Sequence, residues 1–411
     1  MNNPVSSIKP VSGGVCAAKG FQAAGVYCGI RKNPNKKDLA LIVSDVKANA
    51  AAVYTTNLVK GAPLTVTKSH IADGKAQAVI CNSGNANTCN ADGIAVAEEM
   101  SALAAEALGL APEDVIVAST GVIGQRLDIA PIRASLPALA SLLSEDGSLA
   151  ANEAIMTTDT KPKEIAVEFE LGGKTCHLGG IAKGSGMIHP NLCTMLVFLT
   201  TDAAISAGML QLAIKGDVQS TFNMLSIDGD TSTNDMVSLM ANGLAGNEPI
   251  TAPGEDFDAF MKALNTVTVW LCRSIAADGE GATKLIECSV TGAGSLASAR
   301  KVAKSVVCSS LTKAAIFGAD ANWGRVLCAI GYAGVPVDVS KVDVSFRSAA
   351  GSELVCRNGA GVDFSEERAL AILRESEIHI DITLGDGDFA STAWGCDLTY
   401  EYVKINGEYR T

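Results

Sequence analysis

Apolar and polar positions along this chain switch between a helical period and a strand period. In IAVAEEMSALAAEALGL, Val96, Met100, Leu103 and Ala107 recur at helical spacing, with Asp92 offered as an N-cap and Gly109 as a C-cap. AQAVIC before it is strand-like and runs into the turn-rich NSGNANTCNADG; EDVIVAST after it is a β-branched run that stops at Thr120-Gly121. KEIAVEFELGG alternates as a half-exposed strand should, TMLVFLTT is apolar enough for a buried strand, and AISAGMLQLAI returns to helical spacing. Later, TKLIECSV predicts a strand, SLASARKVAKSVV and SEERALAILRE predict helices, and HIDITLGDG and WGCDLTYEYVKI predict closing strands. No fixed-period repeat or low-complexity linker interrupts the series. The mixture predicts a layered α/β architecture, with a boundary near AADGEGATK at 277–284; periodicity alone leaves the strand order open.

Composition narrows this picture. The 411 residues suffice for two domains, and with 48% apolar and 18% charged residues the chain is expected to fold compactly. Aromatics are only 5%, so the core must come from Val, Ile, Leu and Ala, while 40 glycines imply many tight turns. A net charge of -12 argues against nucleic acid or an anionic membrane as the main partner. No apolar run approaches the ~18 residues of a membrane-spanning helix. The stretch MNNPVSSIKPVSGG has neither a basic n-region nor an apolar h-region, so a soluble, cytoplasmic protein is expected. Twelve cysteines include no CxxC, the closest pair being Cys81 and Cys89, and the four histidines are scattered. Free thiols in a reducing compartment are expected, with no metal site.

Short catalytic motifs are mostly absent or out of context. There is no GxSxG elbow, and the SxxK matches at Ser6 and Ser298 lie in a Pro-flanked tail and inside a surface helix. Gly292-Ala293-Gly294-Ser295-Leu296-Ala297 sits between a strand and a helix as a dinucleotide fingerprint would, with Asp320 downstream. The acidic residue should end the next strand, however, and GADANW is a loop, so a dinucleotide-binding oxidoreductase is a minor alternative. The run from Asp228 to Asp235 lacks the glycine and bidentate glutamate of a calcium loop and predicts a hydrogen-bonded turn.

One position carries more chemistry. In HPNLCTMLVFLTTDA, Thr194 stands where a turn-forming segment hands over to an apolar run. The plain reading is a β-branched residue opening a strand. The chemical reading begins from the weakness of a threonine hydroxyl as a nucleophile. If the bond between Cys193 and Thr194 were cut, the new α-amine, with a pKa of about 7.7–8.0, could take the hydroxyl proton without a histidine. The Gly-rich GGIAKGSGMIHPN before it suits an unusual backbone geometry.

The segments GGIAKGSGMIHPNLCTMLVFLTTDA, VIVASTGVIGQRL, IMTTDT, SIDGDTSTNDM, DGEGATKLIE and FGADANWGRVLCAIGYAG closely resemble the ornithine acetyltransferase family. This family is also called the bifunctional arginine-biosynthesis glutamate N-acetyltransferase, and the likeness covers essentially the whole chain. The resemblance implies an N-terminal-nucleophile-like αββα sandwich core over 1–280 and a C-terminal α/β domain over 281–411. It implies self-cleavage at Cys193/Thr194 into an α chain of residues 1–193 and a β chain of 411 − 193 = 218 residues, in an α2β2 assembly. The implied reaction is ping-pong transfer of acetyl from N2-acetylornithine, and in bifunctional members from acetyl-CoA, to glutamate, without metal or organic cofactor. By motif, Thr194 is the nucleophile and Thr120 with Gly121 the oxyanion-stabilising pair. Thr157, Lys183, Glu280, Asn406 and Thr411 take the substrate-contacting positions, Lys183 suiting a carboxylate and Glu280 the free amine of the ornithine side chain. One departure is Cys193, where the family usually has alanine. The alternative within the fold is an aminopeptidase or amidase, in which water resolves the acyl-enzyme.

Overall fold

The computed structural model describes residues 8–189 and 195–408. In chain order the elements are β1 (Lys9–Val11), β2 (Phe21–Val26), β3 (Leu39–Tyr54), α1 (Ala62–His70), β4 (Lys75–Asn82), α2 (Gly93–Leu108), β5 (Val115–Ser119), α3 (Ala130–Ser141), α4 (Ser148–Ile155), β6 (Lys163–Leu171), β7 (Lys174–Lys183), β8 (Leu196–Thr201), α5 (Ala207–Asp217), β9 (Leu225–Ser226), β10 (Met236–Ala241) and α6 (Glu255–Ala277). There follow β11 (Leu285–Ala293), α7 (Leu296–Cys308), α8 (Ser310–Phe317), α9 (Trp323–Gly331), β12 (Asp343–Ser348), β13 (Gly351–Arg357), β14 (Ala360–Gly361), α10 (Glu366–Leu373), β15 (Glu377–Thr383), β16 (Phe389–Cys396) and α11 (Tyr400–Glu408).

These residues form two compact units. Among the described residues, the first takes 8–184, 195–219 and 231–271; the second takes 185–189, 220–230 and 272–408.

The first unit is built on the long strand β3. Its first half pairs antiparallel with β2 and β4, and its second half pairs with β10. The sheet order is β1-β6-β7-β8-β10-β3-β4-β5, with β2 on β3. Strand alternation sends neighbouring residues to opposite faces, and here it separates two cores. Ile42, Val79 and Ile116 join Leu196, Phe198, Met236 and Met240 in one apolar cluster. Their chain neighbours Leu41, Ile80 and Val117 instead pack with Met100, Ala104, Ile132 and Leu136 of α2 and α3. The two halves of the sheet therefore face each other across the first cluster, with helices outside one half. On the far side, Phe260 of α6 meets Phe169 of β6 edge-to-face at 6.2 Å. The layers run helix, sheet, sheet, helix.

The second unit carries a sheet in the order β14-β13-β12-β15-β11-β16-β9, with α7 against it. β11 pairs parallel with β15 and antiparallel with β16. This is not a doubly wound parallel sheet, and Asp320 follows α8 in a loop instead of ending a strand. The Gly292/Gly294 match is therefore an ordinary strand-to-helix turn, capped by Ser295 accepting from the Ser298 N–H.

Most predicted elements form where the periodicity puts them. α2 ends at Gly109 in the left-handed conformation (φ 67°). The carboxylate of Asp92 pairs with Arg126 at 2.6 Å instead of capping α2. The last predicted strand needs correction: β16 stops at Cys396, and TYEYVKI becomes α11. Thr399 overrides the β-propensity of Tyr and Val, its hydroxyl accepting from the Tyr402 N–H at 3.3 Å and donating to the Gly281 carbonyl at 2.7 Å. All eleven cysteines among the described residues are free.

Candidate active site

The parallel pair β4 and β5 ends at Asn82 opposite Ser119, and Thr120 and Gly121 turn out of the sheet there. The Thr120 N–H donates to the Asn82 carbonyl at 2.9 Å. That leaves its hydroxyl and the Gly121 N–H as donors without a partner among the described residues. Gly121 lies at φ +127°, and an added Cβ would sit 2.6 Å from the Gly84 carbonyl carbon. Only glycine fits. Amides hold the turn from beneath: Asn82 Nδ2 donates to Ser119 Oγ at 2.7 Å, and Asn234 Nδ2 to the Ser119 carbonyl at 2.9 Å. Asn234 Oδ1 in turn accepts from the hydroxyls of Thr88 and Thr233, each at 2.6 Å.

Thr157 and Lys183 meet through a residue that the sequence reading passed over. Asp159 accepts from the Thr157 N–H at 3.0 Å, the Gly184 N–H at 2.7 Å and Lys163 Nζ at 2.7 Å. The side chains of Lys163 and Asp159 are only 2% and 0% exposed. Burial alone would push the Asp159 carboxyl up, but Lys163, then Lys183, with the Gly184 N–H, hold it well below the usual carboxylate range. Lys183 is itself buried at the end of β7, where it pairs in register with Leu196 at the start of β8. The only sequence signal for Asp159 was its place inside the MTTDT motif.

Asp235 is a second buried carboxyl in this unit. It directly precedes β10, whose first residue, Met236, donates its N–H to the Met195 carbonyl at 3.0 Å. Burial pushes its pKa well above the usual carboxylate value, against the lowering pull of Ser232, Lys183 and Thr55. One carboxyl oxygen of Asp235 has no hydrogen-bond partner.

The second unit brings together two more predicted residues, 126 positions apart. Asn406 Nδ2 donates to Glu280 Oε2 at 2.7 Å, and the Glu280 N–H donates to the Ser185 carbonyl at 2.7 Å. A Cβ on Gly186 would come within 2.4 Å of the Glu280 carboxylate, so that glycine clears the space Glu280 fills. Asp228, expected from the sequence only as part of a hydrogen-bonded turn, accepts from the N–H groups of Met187 and Ile188 at 2.5 and 2.9 Å. It fixes the segment that leads toward position 194. Cys193, Thr194 and Thr411 lie outside the described residues.

Each of the four histidines has a partner of its own: His70 the Val115 carbonyl, His177 Asp202, His189 Ser226 and His379 Glu377. Burial, then Lys304, lowers the His189 pKa to about 4, so this imidazole is neutral at physiological pH. No cluster of three or more metal-ligating side chains occurs among the described residues.

The model of the ArgJ family matches residues 22–411. The chain belongs to the ArgJ family. It is 52% identical over 403 residues to the arginine biosynthesis bifunctional protein ArgJ of Symbiobacterium thermophilum, covering 98% of this chain and 99% of that one. A crystal structure of arginine biosynthesis bifunctional protein ArgJ from Bacillus halodurans shares 47% identity over 52% of this chain and 98% of the other, with a TM-score of 0.49. The structure of ornithine acetyltransferase complexed with ornithine, from Mycobacterium tuberculosis, shares 36% identity over 45% of this chain and all of the other, with a TM-score of 0.42. Membership in the ArgJ family agrees with the resemblance carried by the sequence motifs.

Proposed function

We propose that this ArgJ-family chain is an acyltransferase of arginine biosynthesis that carries acetyl to glutamate on Thr194, after cutting itself between Cys193 and Thr194. The donor is N2-acetylornithine, and acetyl-CoA serves as a second donor. The observation that carries the chemistry is the Thr120–Gly121 turn. With the Thr120 N–H committed to Asn82, a hydroxyl and one backbone N–H remain as a donor pair for a developing oxyanion.

The steps balance without a metal. Thr194 Oγ attacks the acetyl carbonyl while its own α-amine takes the hydroxyl proton. The tetrahedral oxyanion accepts hydrogen bonds from Thr120 and Gly121. Collapse breaks the C–N bond, and the ornithine amine leaves with the proton. The glutamate amine then attacks the Thr194 ester, the hydroxyl regains its proton, and acetylglutamate departs. With acetyl-CoA, the C–S bond breaks instead and the thiol leaves.

Lys183 suits a substrate carboxylate, Glu280 the ornithine side-chain amine, and Thr157, Asn406 and Thr411 further substrate contacts. An α2β2 assembly in the cytoplasm completes the reading; no helix among the described residues is long and apolar enough to cross a membrane. The test is transfer to glutamate with acetylornithine or acetyl-CoA as the sole donor. Transfer from both is expected. Release of free acetate, indifferent to glutamate, would make the protein a hydrolase instead.

A further inference from the structure

A cavity of about 1080 Å³ opens in the first unit beside the second half of β3. β3 is held by β10 along one edge over this stretch, whereas its pairing with β4 on the other edge ends at Asn49 opposite Lys75. Ala50, Ala52 and Tyr54 line the cavity there. One wall is a stripe of α1 through Leu64 and Lys68; the other is a stripe of α5 through Gln211 and Lys215. Both pairs are spaced by four residues, so each shares a helix face.

The charge of this cavity runs against that of the chain. The protein has 44 acidic and 32 basic residues, yet the cavity is lined by Lys60, Lys68 and Lys215 and by no Asp or Glu. None of these lysines has an ion-pair partner among the described residues. Three lysines without ion-pair partners around one cavity raise the local positive potential and suit phosphate-type anions. The rest of the lining mixes small apolar residues, among them Ala50, Ala52, Ala72 and Ala207, with threonines and with Gln211 and Gln219. A cavity of this size and charge suits a large phosphorylated ligand with both polar and apolar parts.

We propose that this cavity holds the phosphate-bearing nucleotide half of acetyl-CoA. The inference rests on the proposed use of acetyl-CoA as a donor. Strand register places Tyr54 opposite Met236, and Met236 opposite Leu196. The Tyr54 end of the cavity is therefore two strands, about 10 Å, from the start of β8, the strand that follows Thr194 in sequence. A site on this flank leaves the acetylornithine-binding residues untouched.

The test is a Lys68→Glu/Lys215→Glu double variant; both side chains are exposed, so folding is not at stake. Binding of CoA and of adenosine 3′,5′-bisphosphate to the cleaved enzyme is measured by calorimetry, alongside KM for each donor. The expected result is a loss of at least ~10-fold in affinity for both nucleotides and a matching rise in KM for acetyl-CoA. Acetylornithine-dependent transfer should stay within about twofold. Unchanged nucleotide affinity in the variant would overturn the assignment, as would a wild-type enzyme that binds neither nucleotide. Acetylornithine transfer by the wild-type enzyme reports the Thr194 chemistry separately, so a failure there still leaves the binding result to judge the cavity.

Discussion

In the Thr120–Gly121 turn, one hydrogen bond decides which donors stay available. Because the Thr120 N–H is taken by Asn82, the oxyanion role proposed for Thr120 falls to its hydroxyl, and Thr120→Val should lower kcat about 10²–10³-fold while changing KM little. Gly121→Ala should be at least as damaging, since the methyl group meets the Gly84 backbone at 2.6 Å; steady-state transfer from acetylornithine to glutamate measures both. Asp159 is a different kind of residue. Lys163→Met leaves a carboxylate buried at 0% exposure without its nearest cation, and should cost about 3–5 kcal/mol in denaturant unfolding. The turn at Thr120 was legible as the end of a β-branched run. Asp159 was not, because Gly184, just past the end of β7, reaches it only through the pairing of β6 with β7.

At the scale of elements, buried carboxyls in the segments that lead into β6 and β10 set the pH behaviour. Asp159, held below its unfolded value of about 3.9, contributes stability that is present above that value and lost as pH falls. Asp235, at the start of β10, is shifted the other way. Folded, it keeps a proton that the unfolded chain gives up, so stability falls as pH rises from about 4 toward its folded pKa. Asp235→Asn should therefore flatten the thermal midpoint between about pH 4 and 8 and raise it most at the upper end; a midpoint unchanged at pH 8 would count against this. In the second unit, α11 brings Asn406 to Glu280. Glu280→Gln should reduce use of acetylornithine more than use of acetyl-CoA, and equal losses with both donors would reject the amine-binding role. The helix itself was misread as strand from its Tyr and Val content, since the deciding contact, Thr399 to Gly281, spans 118 positions.

At the scale of the molecule, the layered α/β class was legible because period and burial agree over most strands, β4, β5 and β8 above all. What the pattern could not supply was which strands share a sheet. The two-residue β9, Leu225–Ser226, leaves no periodic signal, yet it pairs with β16 in the second unit. Likewise, β3 serves both halves of the first sheet through a register shift between Val43 and Ala48, which alternation alone does not mark. The family match over residues 22–411 ties this framework to acyl transfer, and the account then depends on one covalent event. The most direct measurement is the denatured mass of the purified protein before and after incubation with acetylornithine, with glutamate withheld. The account predicts two chains, of 193 residues and of 411 − 193 = 218 residues, with the longer one beginning Thr-Met-Leu and gaining a single acetyl group on Thr194. A fully active enzyme that remains one uncut chain, or that carries the acetyl group on any other residue, would contradict it.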